Sequence, residues 1–333
     1  MWWWKPARPC RSCWMVILCC KRPGTAACGR SSKSARAAKS TGGGLADGPW
    51  PLKTTLAFME KPLLVLRPGR PSALAYFQEI WRYRHLLLTL GQRDLKVRFA
   101  QTALGWLWAL LLPLLSLGVL YLLFQRVVAT QTQGVPFFLY ALSGLLFWHF
   151  FQHVVAQSAS ALIGAQAIVK KIYFPRAVLP LSKAGVALVD LGVSTLVFGL
   201  WLGISGEGRP LALLALPFVL LPVLAGAWGL GLWISALSIR YRDLQQVVPL
   251  LLQLLFFLTP VAYEPAMLSA WLGDWSALVY LNPSAGAMQA FRALVFDLPW
   301  SGLWALSALS GMLFLLSGWW YFGRVEQQMA DWI

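Results

Sequence analysis

The sequence predicts an all-α integral membrane protein, and three observations carry that prediction. Six apolar runs lie between Thr102 and Phe322, and a helix needs about 20 apolar residues to cross a bilayer core. Charged residues make up 12% of the chain, roughly half the ~25% usual in soluble domains. Lys and Arg crowd into alternate connecting segments, the pattern that sets orientation in a membrane. The net charge of +16 would suggest nucleic acid in a soluble protein, but it divides into +9 over residues 1–58 and +7 over 59–333. No basic stripe with interleaved aromatics remains once the apolar runs are set aside, so nucleic acid is not an expected partner.

Residues 1–58 look foreign to the rest of the chain. All five cysteines (Cys10, Cys13, Cys19, Cys20 and Cys28) fall there. Cys10 and Cys13 have redox or zinc spacing, but no second pair and no nearby His completes a site. The stretch Gly24–Ser31 imitates a phosphate loop, with Arg30 where Lys is required and no apolar strand leading in. Trp14–Cys20 imitates a feeble signal peptide, whose cleavage would contradict the charge pattern of the membrane region. Residues 31–48 are low-complexity and are expected to be disordered. Translation is expected to start at Met59, which makes 1–58 a gene-model extension.

Residues 59–101 read as a cytoplasmic segment. Over Leu74–Leu90, the residues Leu74, Phe77, Ile80, Trp81 and Arg84 recur at helical spacing. That suits an interfacial helix on the cytoplasmic leaflet, and it suits a soluble amphipathic helix packed on a partner equally well. Arg93, Lys96 and Arg98 then meet the first apolar run with no turn expected between them, pinning that span on its cytoplasmic side.

The six runs are Thr102–Phe124, Phe137–Ser158, Leu179–Ile204, Leu211–Ser238, Leu244–Val261 and Ser301–Phe322, the fifth only just long enough. An even number puts both ends of the six-span domain, 102–322, on one side. The proposed inner segments hold fourteen Lys/Arg: eight in 59–101, three in 159–178, two in 239–243 and one in the tail 323–333. The outer segments hold three, Arg126, Arg209 and Arg292. Both termini are therefore expected in the cytoplasm. The long outer segment Ala262–Trp300 is expected to dip into the membrane edge as short re-entrant helices.

Within the spans, Asp190 is the one carboxylate well inside a run, so it needs a partner or a function. Helix–helix hydrogen bonding is the first expectation for it. His149 and His153 share a face at i and i+4, without a third ligand nearby for a metal; hydrogen bonding between helices or contact with a polar substrate is expected instead. Gly185, Gly192 and Gly199 recur every seven residues, with Gly203 beyond, a seam that would let another helix approach closely. Aromatics crowd the second run (Phe147, Trp148 and Phe151 among them) and the long outer segment (Tyr263, Trp271, Trp275, Tyr280). They suit either an interfacial belt or rings stacking on sugar faces along an export path.

Several blocks carry a family resemblance. Arg93-Asp94-Leu95-Lys96-x-Arg98-Phe99 with Leu104-Gly105-x-x-Trp108 and Pro113 resembles the opening of polysaccharide-exporting ABC permeases of the ABC-2 type. The likeness continues through Lys170-Lys171-Ile172-Tyr173-Phe174-Pro175-Arg176 and Arg240-Tyr241-Arg242-Asp243. It extends to Thr259-Pro260-Val261-x-Tyr263, Leu281-Asn282-Pro283 and Phe291-Arg292. The resemblance implies a permease subunit that exports a lipid-linked glycan of O-antigen, capsule or teichoic-acid type from a bacterial inner membrane. It implies a second copy of the chain and two separate ATP-binding cassette subunits, which use the ATP and Mg. Lys170, Lys171, Tyr173, Phe174, Pro175 and Arg176 would be the loop that seats in the ATPase, with Gln166–Tyr173 a short helix broken by Pro175. Trp81, Arg93, Asp94, Lys96 and Arg98 would form the interfacial segment. The aromatics of the second run and of the long outer segment would form the channel and gate.

The residues agree with a permease that is not itself an enzyme. No phosphate loop with Lys, no HExxH and no paired span carboxylates occur, so no cofactor is expected on this chain. Rival readings are an ABC-2 exporter of drugs or simple lipids, a membrane glycosyl- or acyltransferase, and an ion-driven flippase. The transferase would need water-facing acid/base groups, whereas Asp94 and Asp243 are each flanked by Arg, which suits ion pairing. The flippase would need more than Asp190 or visible repeats.

Overall fold

The computed structural model describes residues 73–100, 102, 105–127, 132–171, 174–300, 302–326 and 328–329. Of two compact units, Met1–Arg67 and Pro68–Ile333, only the second contains described residues, so the expectations for 1–58 lie outside them. Every regular element among the described residues is a helix. Two short helices come first, α1 (Ala73–Arg82) and α2 (Arg84–Phe99). They are followed by α3 (Leu107–Leu120, running into a π-helical turn Tyr121–Val127), α4 (Phe137–Gly164) and α5 (Gln166–Val169). Next come α6 (Val178–Ser182), α7 (Ala184–Ser205), a 3-10 turn Pro210–Ala215, α8 (Leu216–Arg240) and α9 (Leu244–Leu258). The last elements are α10 (Pro265–Leu272), a 3-10 stretch Gly273–Leu281, α11 (Pro283–Phe296) and α12 (Leu303–Val325).

Among the described residues, five segments are long and apolar enough to cross a membrane: Leu107–Phe124, Phe137–Gly164, Val178–Ser205, Pro210–Arg240 and Leu303–Val325. The expected fifth run becomes α9, only 15 residues long, which at 1.5 Å per residue reaches about 22 Å against a core of ~30 Å. It stops where Thr259, preceding Pro260, turns to extended backbone (φ −87°, ψ 132°). The expected short helices of the segment after α9 are present as α10, the 3-10 stretch and α11.

A second departure concerns the start of the first span. A turn does separate the basic segment from it. Ala100 is extended at ψ 135° after α2, and Gly105 adopts φ +50°, a conformation that glycine takes without steric cost. The helix expected over Leu74–Leu90 also divides, at Tyr83 (φ −90°, ψ 16°).

The core gathers on α4. Apolar on all sides, α4 is buried over most of its length, whereas the other four long segments turn most of their surface outward. The closest helix pair is α8 with α12, and glycines make it possible. A Cβ on Gly229 would fall on the backbone of Phe314, one on Gly318 on Gly229, and one on Gly311 on Pro222. This small-residue seam lies elsewhere than expected: of the predicted set, Gly185 does face Gly91 of α2, Gly199 meets only the Leu213 side chain, and Gly192 and Gly203 face open space.

Candidate functional site

Three polar constellations interrupt the apolar body, one at each end and one at mid-span. At the end near α11 the centre is Arg292, which is 0% exposed. Its Nε donates to Ser143 Oγ (3.0 Å), Nη1 to Pro260 O (3.0 Å), and Nη2 to Tyr140 O (2.9 Å) and Val261 O. The guanidinium also lies 3.7 Å over the Tyr140 ring. Three of the blocks that carry the family resemblance, Thr259–Tyr263, Leu281–Pro283 and Phe291-Arg292, converge here. Asn282 Oδ1 caps α11 by accepting from Ser284 N (3.2 Å), and its Nδ2 donates to Thr259 Oγ1 (3.0 Å). The Tyr263 hydroxyl donates to Phe257 O (2.9 Å), and the Tyr140 hydroxyl to Tyr263 O (3.3 Å). Arg292, expected from the sequence to be an outer-loop charge, is thus a buried clamp that ties α11 to α4 and to the end of α9.

The expected aromatics split by position. Phe147, Trp148 and Phe151 are 0–1% exposed and pack in the protomer core, Phe147 edge-on to Phe291 (5.3 Å) and Trp148 against Phe256 (5.5 Å). Their full burial places them in the chain's own core. Tyr263 and Tyr280 are also buried, whereas Trp271 and Trp275 are 79% and 69% exposed.

At mid-span, α2 lies along α6 and α7. Lys183 Nζ donates to Asp94 Oδ2 (2.5 Å), and Arg98 pairs through Nη1 with Asp190 Oδ2. Asp94 therefore does form an ion pair, but with a residue of the third long segment rather than with its flanking Arg93. Asp190 and His149 sit near the middle of their 28-residue segments. Between α3, α4 and α7 lies a cavity of about 360 Å³ lined by Arg98, Ser116, His149, Gln152, His153 and Asp190 among others. Two buried polar atoms in it, His149 Nε2 and Asp190 Oδ1, have no hydrogen-bond partner in the protein. No group of three His, Cys, Asp or Glu among the described residues is placed to hold a metal.

At the opposite end, α5 is a single turn ending at Val169, shorter than the expected Gln166–Tyr173. Lys170 and Lys171 follow on an exposed turn closed by Lys171 N to Ile168 O (3.0 Å). Tyr173 lies outside the described residues. Phe174 and Pro175 are buried, Phe174 in a cluster with Tyr76, Ile80, Ile239 and Phe322. Arg176 is fastened to the end of α12: its N–H donates to Glu326 Oε1 (2.6 Å) and its Nη1 to Glu326 O (2.9 Å). Burial raises the Glu326 carboxyl above its ordinary range, and burial followed by the nearby Glu326 charge raises the Tyr76 phenol. On α1, Tyr76 and Ile80 face inward, while Phe77 and Trp81 face outward and stack (6.4 Å). Of Arg93, Lys96 and Arg98, Arg98 is the one paired with a span carboxylate among the described residues.

These features define a multi-pass helical membrane protein with a basic, anchored turn at one end. The sequence matches the ABC-2 type transporter family over residues 85–296, and the chain belongs to that family. It is 35% identical over 243 residues to the O-antigen export system permease protein RfbA of Myxococcus xanthus, covering 71% of this chain and 91% of that one. It is 29% identical over 213 residues to an RfbA of Klebsiella pneumoniae (64% and 80% covered). It is 26% identical over 210 residues to the polysialic acid transport protein KpsM of Escherichia coli (61% and 78%).

Proposed function

We propose that this chain is the membrane permease subunit of an ATP-driven exporter that moves lipid-linked polysaccharide out of the bacterial cytoplasm. The observation that carries the reading is its likeness to the Myxococcus O-antigen export permease over nearly that protein's whole length. Two copies form the translocation path, and two ATP-binding cassette subunits dock on the Lys170–Arg176 turn and hydrolyse the ATP with Mg. This chain itself binds no cofactor and catalyses no reaction. Counting α9 as a sixth, short crossing leaves both termini and the Lys170 turn on the cytoplasmic face of the inner membrane. The segments α10 to α11 then re-enter from the outer face, with Trp271 and Trp275 at the mouth and Trp81 at the inner leaflet. The anchoring of Arg176 to Glu326 supports the docking role, because a push on the turn is passed directly to the end of α12. Deletion of the chain in its native host tests the proposal: lipid-linked polysaccharide should accumulate inside while surface polymer disappears. Unchanged surface polymer would refute it.

A further inference from the structure

The Lys170 turn, α12 and α1 meet at one carboxyl group, that of the half-buried Glu326. Its Oε1 accepts the Arg176 N–H (2.6 Å), while the Arg176 guanidinium goes to the Glu326 main-chain oxygen (2.9 Å) rather than to the carboxyl. One N–H therefore serves a group with about four acceptor sites. From the other side comes α1. Tyr76 is 6% exposed, its ring stands edge-on to Trp319 of α12 (5.3 Å), and its hydroxyl lies beside both the Glu326 carboxyl and the Ala177 N–H. It completes a hydrogen bond to neither, and so is buried without a partner. An unmet buried hydroxyl is destabilising. A phenylalanine would fill the same cluster of Ile80, Phe174 and Phe322 without that cost, so the hydroxyl needs a reason. Glu79, the other titratable group of α1 near the carboxyl, adds negative charge and no donor. When the turn is displaced, the Arg176 N–H is carried off Oε1 and the carboxyl is left short of a donor. The Tyr76 O–H is a donor already beside it, on a ring that Trp319 holds in place.

We infer that Tyr76 is a positioning residue for the docking turn: it takes over the Glu326 carboxyl when Arg176 moves away. Rotation of the Glu326 side chain exchanges one donor for the other while α1 and α12 stay packed. The exchange lowers the cost of displacing the turn and fixes α1 to α12 in the displaced state. The inference rests on the docking reading proposed above and deepens it, by naming the residue that receives the displacement. The test uses the chain in nanodiscs with the ATP-binding subunits that co-purify, and compares wild type with Tyr76→Phe. Without nucleotide, the melting temperature of Tyr76→Phe should be unchanged or higher, because the hydroxyl it loses has no partner at rest. With ATP, turnover should fall about tenfold at unchanged KM, the size of one hydrogen bond to a carboxyl. Incorporating p-aminophenylalanine at position 76 restores a donor and should restore turnover. A fluorotyrosine there reads the exchange directly, and its fluorine resonance should shift when the complex is trapped with ATP and vanadate. A melting temperature that falls in Tyr76→Phe would mean that the hydroxyl is bonded at rest, and would overturn the inference. Wild-type turnover in Tyr76→Phe would overturn it too, with water replacing Arg176 instead, as would a fluorine resonance that stays in place on trapping. Each of those results leaves an ATPase bound to the permease and the docking reading standing. A chain that purifies with no ATP-binding subunit overturns the docking reading, and this inference falls with it.

Discussion

Arg292 has no carboxylate beside it among the described residues, so its charge is carried by three carbonyls, a hydroxyl and the face of Tyr140. Removing the guanidinium would strand those acceptors in an apolar surrounding. Arg292→Met is expected to cost about 1–3 kcal/mol for each buried acceptor it leaves unmet, read as loss of thermal stability in detergent, and Arg292→Lys should fail to rescue because one ammonium cannot span the same fork. A stability unchanged in Arg292→Met would contradict the clamp. Glu326 supplies a pH test. Burial raises its pKa above the ordinary 4.5. Its contribution to stability is therefore fully present below pH 4.5 and is lost as pH rises through the native value. Wild type should lose melting temperature relative to Glu326→Gln as pH rises from acid to neutral; a pH-independent difference would contradict the assignment. Single residues are the least legible scale in the sequence. Asp190 stands out as a carboxylate among apolar residues, and it does pair with another helix. Arg292 and Lys183 carry the same signal, a lone cation in an apolar stretch. Counting Arg292 as an outer-loop charge hides its role, and the role of Lys183 is hidden because its partner Asp94 is 89 residues away.

At the scale of elements, periodicity and length locate three of the spans within three residues at each end, start the first five residues early and end the second at Ser158 where it runs on to Gly164. What the sequence conceals are the interruptions. The turn at Ala100–Gly105 depends on a positive φ, and nothing in a run of apolar residues declares it. α9 stops at Thr259, which precedes Pro260, and the stop is fixed by partners more than twenty residues away: Asn282 donates to Thr259 Oγ1 and Arg292 to Pro260 O. The glycine seam shows the same limit: a heptad of glycines on α7 is visible, yet the tight approach occurs between α8 and α12, where spacing is less regular. Gly229→Ala is expected to destabilise the protein by about 1–3 kcal/mol, since the added methyl meets the backbone of Phe314, which cannot rotate away. Gly192→Ala, facing open space, should be near neutral. Thermal unfolding of the two variants side by side checks the contrast, and equal effects would contradict it.

For the whole molecule, two of the constellations, the Lys170 turn and the Arg292 cluster, are joined by packed helices. The Lys170 turn is fastened to α12 through Glu326, α12 is fused to α8 along the glycine seam, and α8 and α11 pack on α4, where Arg292 holds the far end. A displacement of the turn therefore has a packed route to the α10–α11 region. That route is a spatial continuity, and coupling along it must be measured. Lys170 and Lys171 are the part of this route most readable in the sequence, as a basic pair beside apolar anchors. Glu326, which fastens the turn, is not, because it lies 150 residues from Arg176.

As proposed above, a separate ATPase acting on the Lys170 turn drives this permease. Affinity purification of the tagged chain from its native membrane in mild detergent, with an ATPase assay on the product, tests it most directly. A stoichiometric ATP-binding partner is expected, with activity that is lost when Lys170 and Lys171 are both changed to Glu. A chain that purifies alone and without ATPase activity would mean that no separate ATPase drives it.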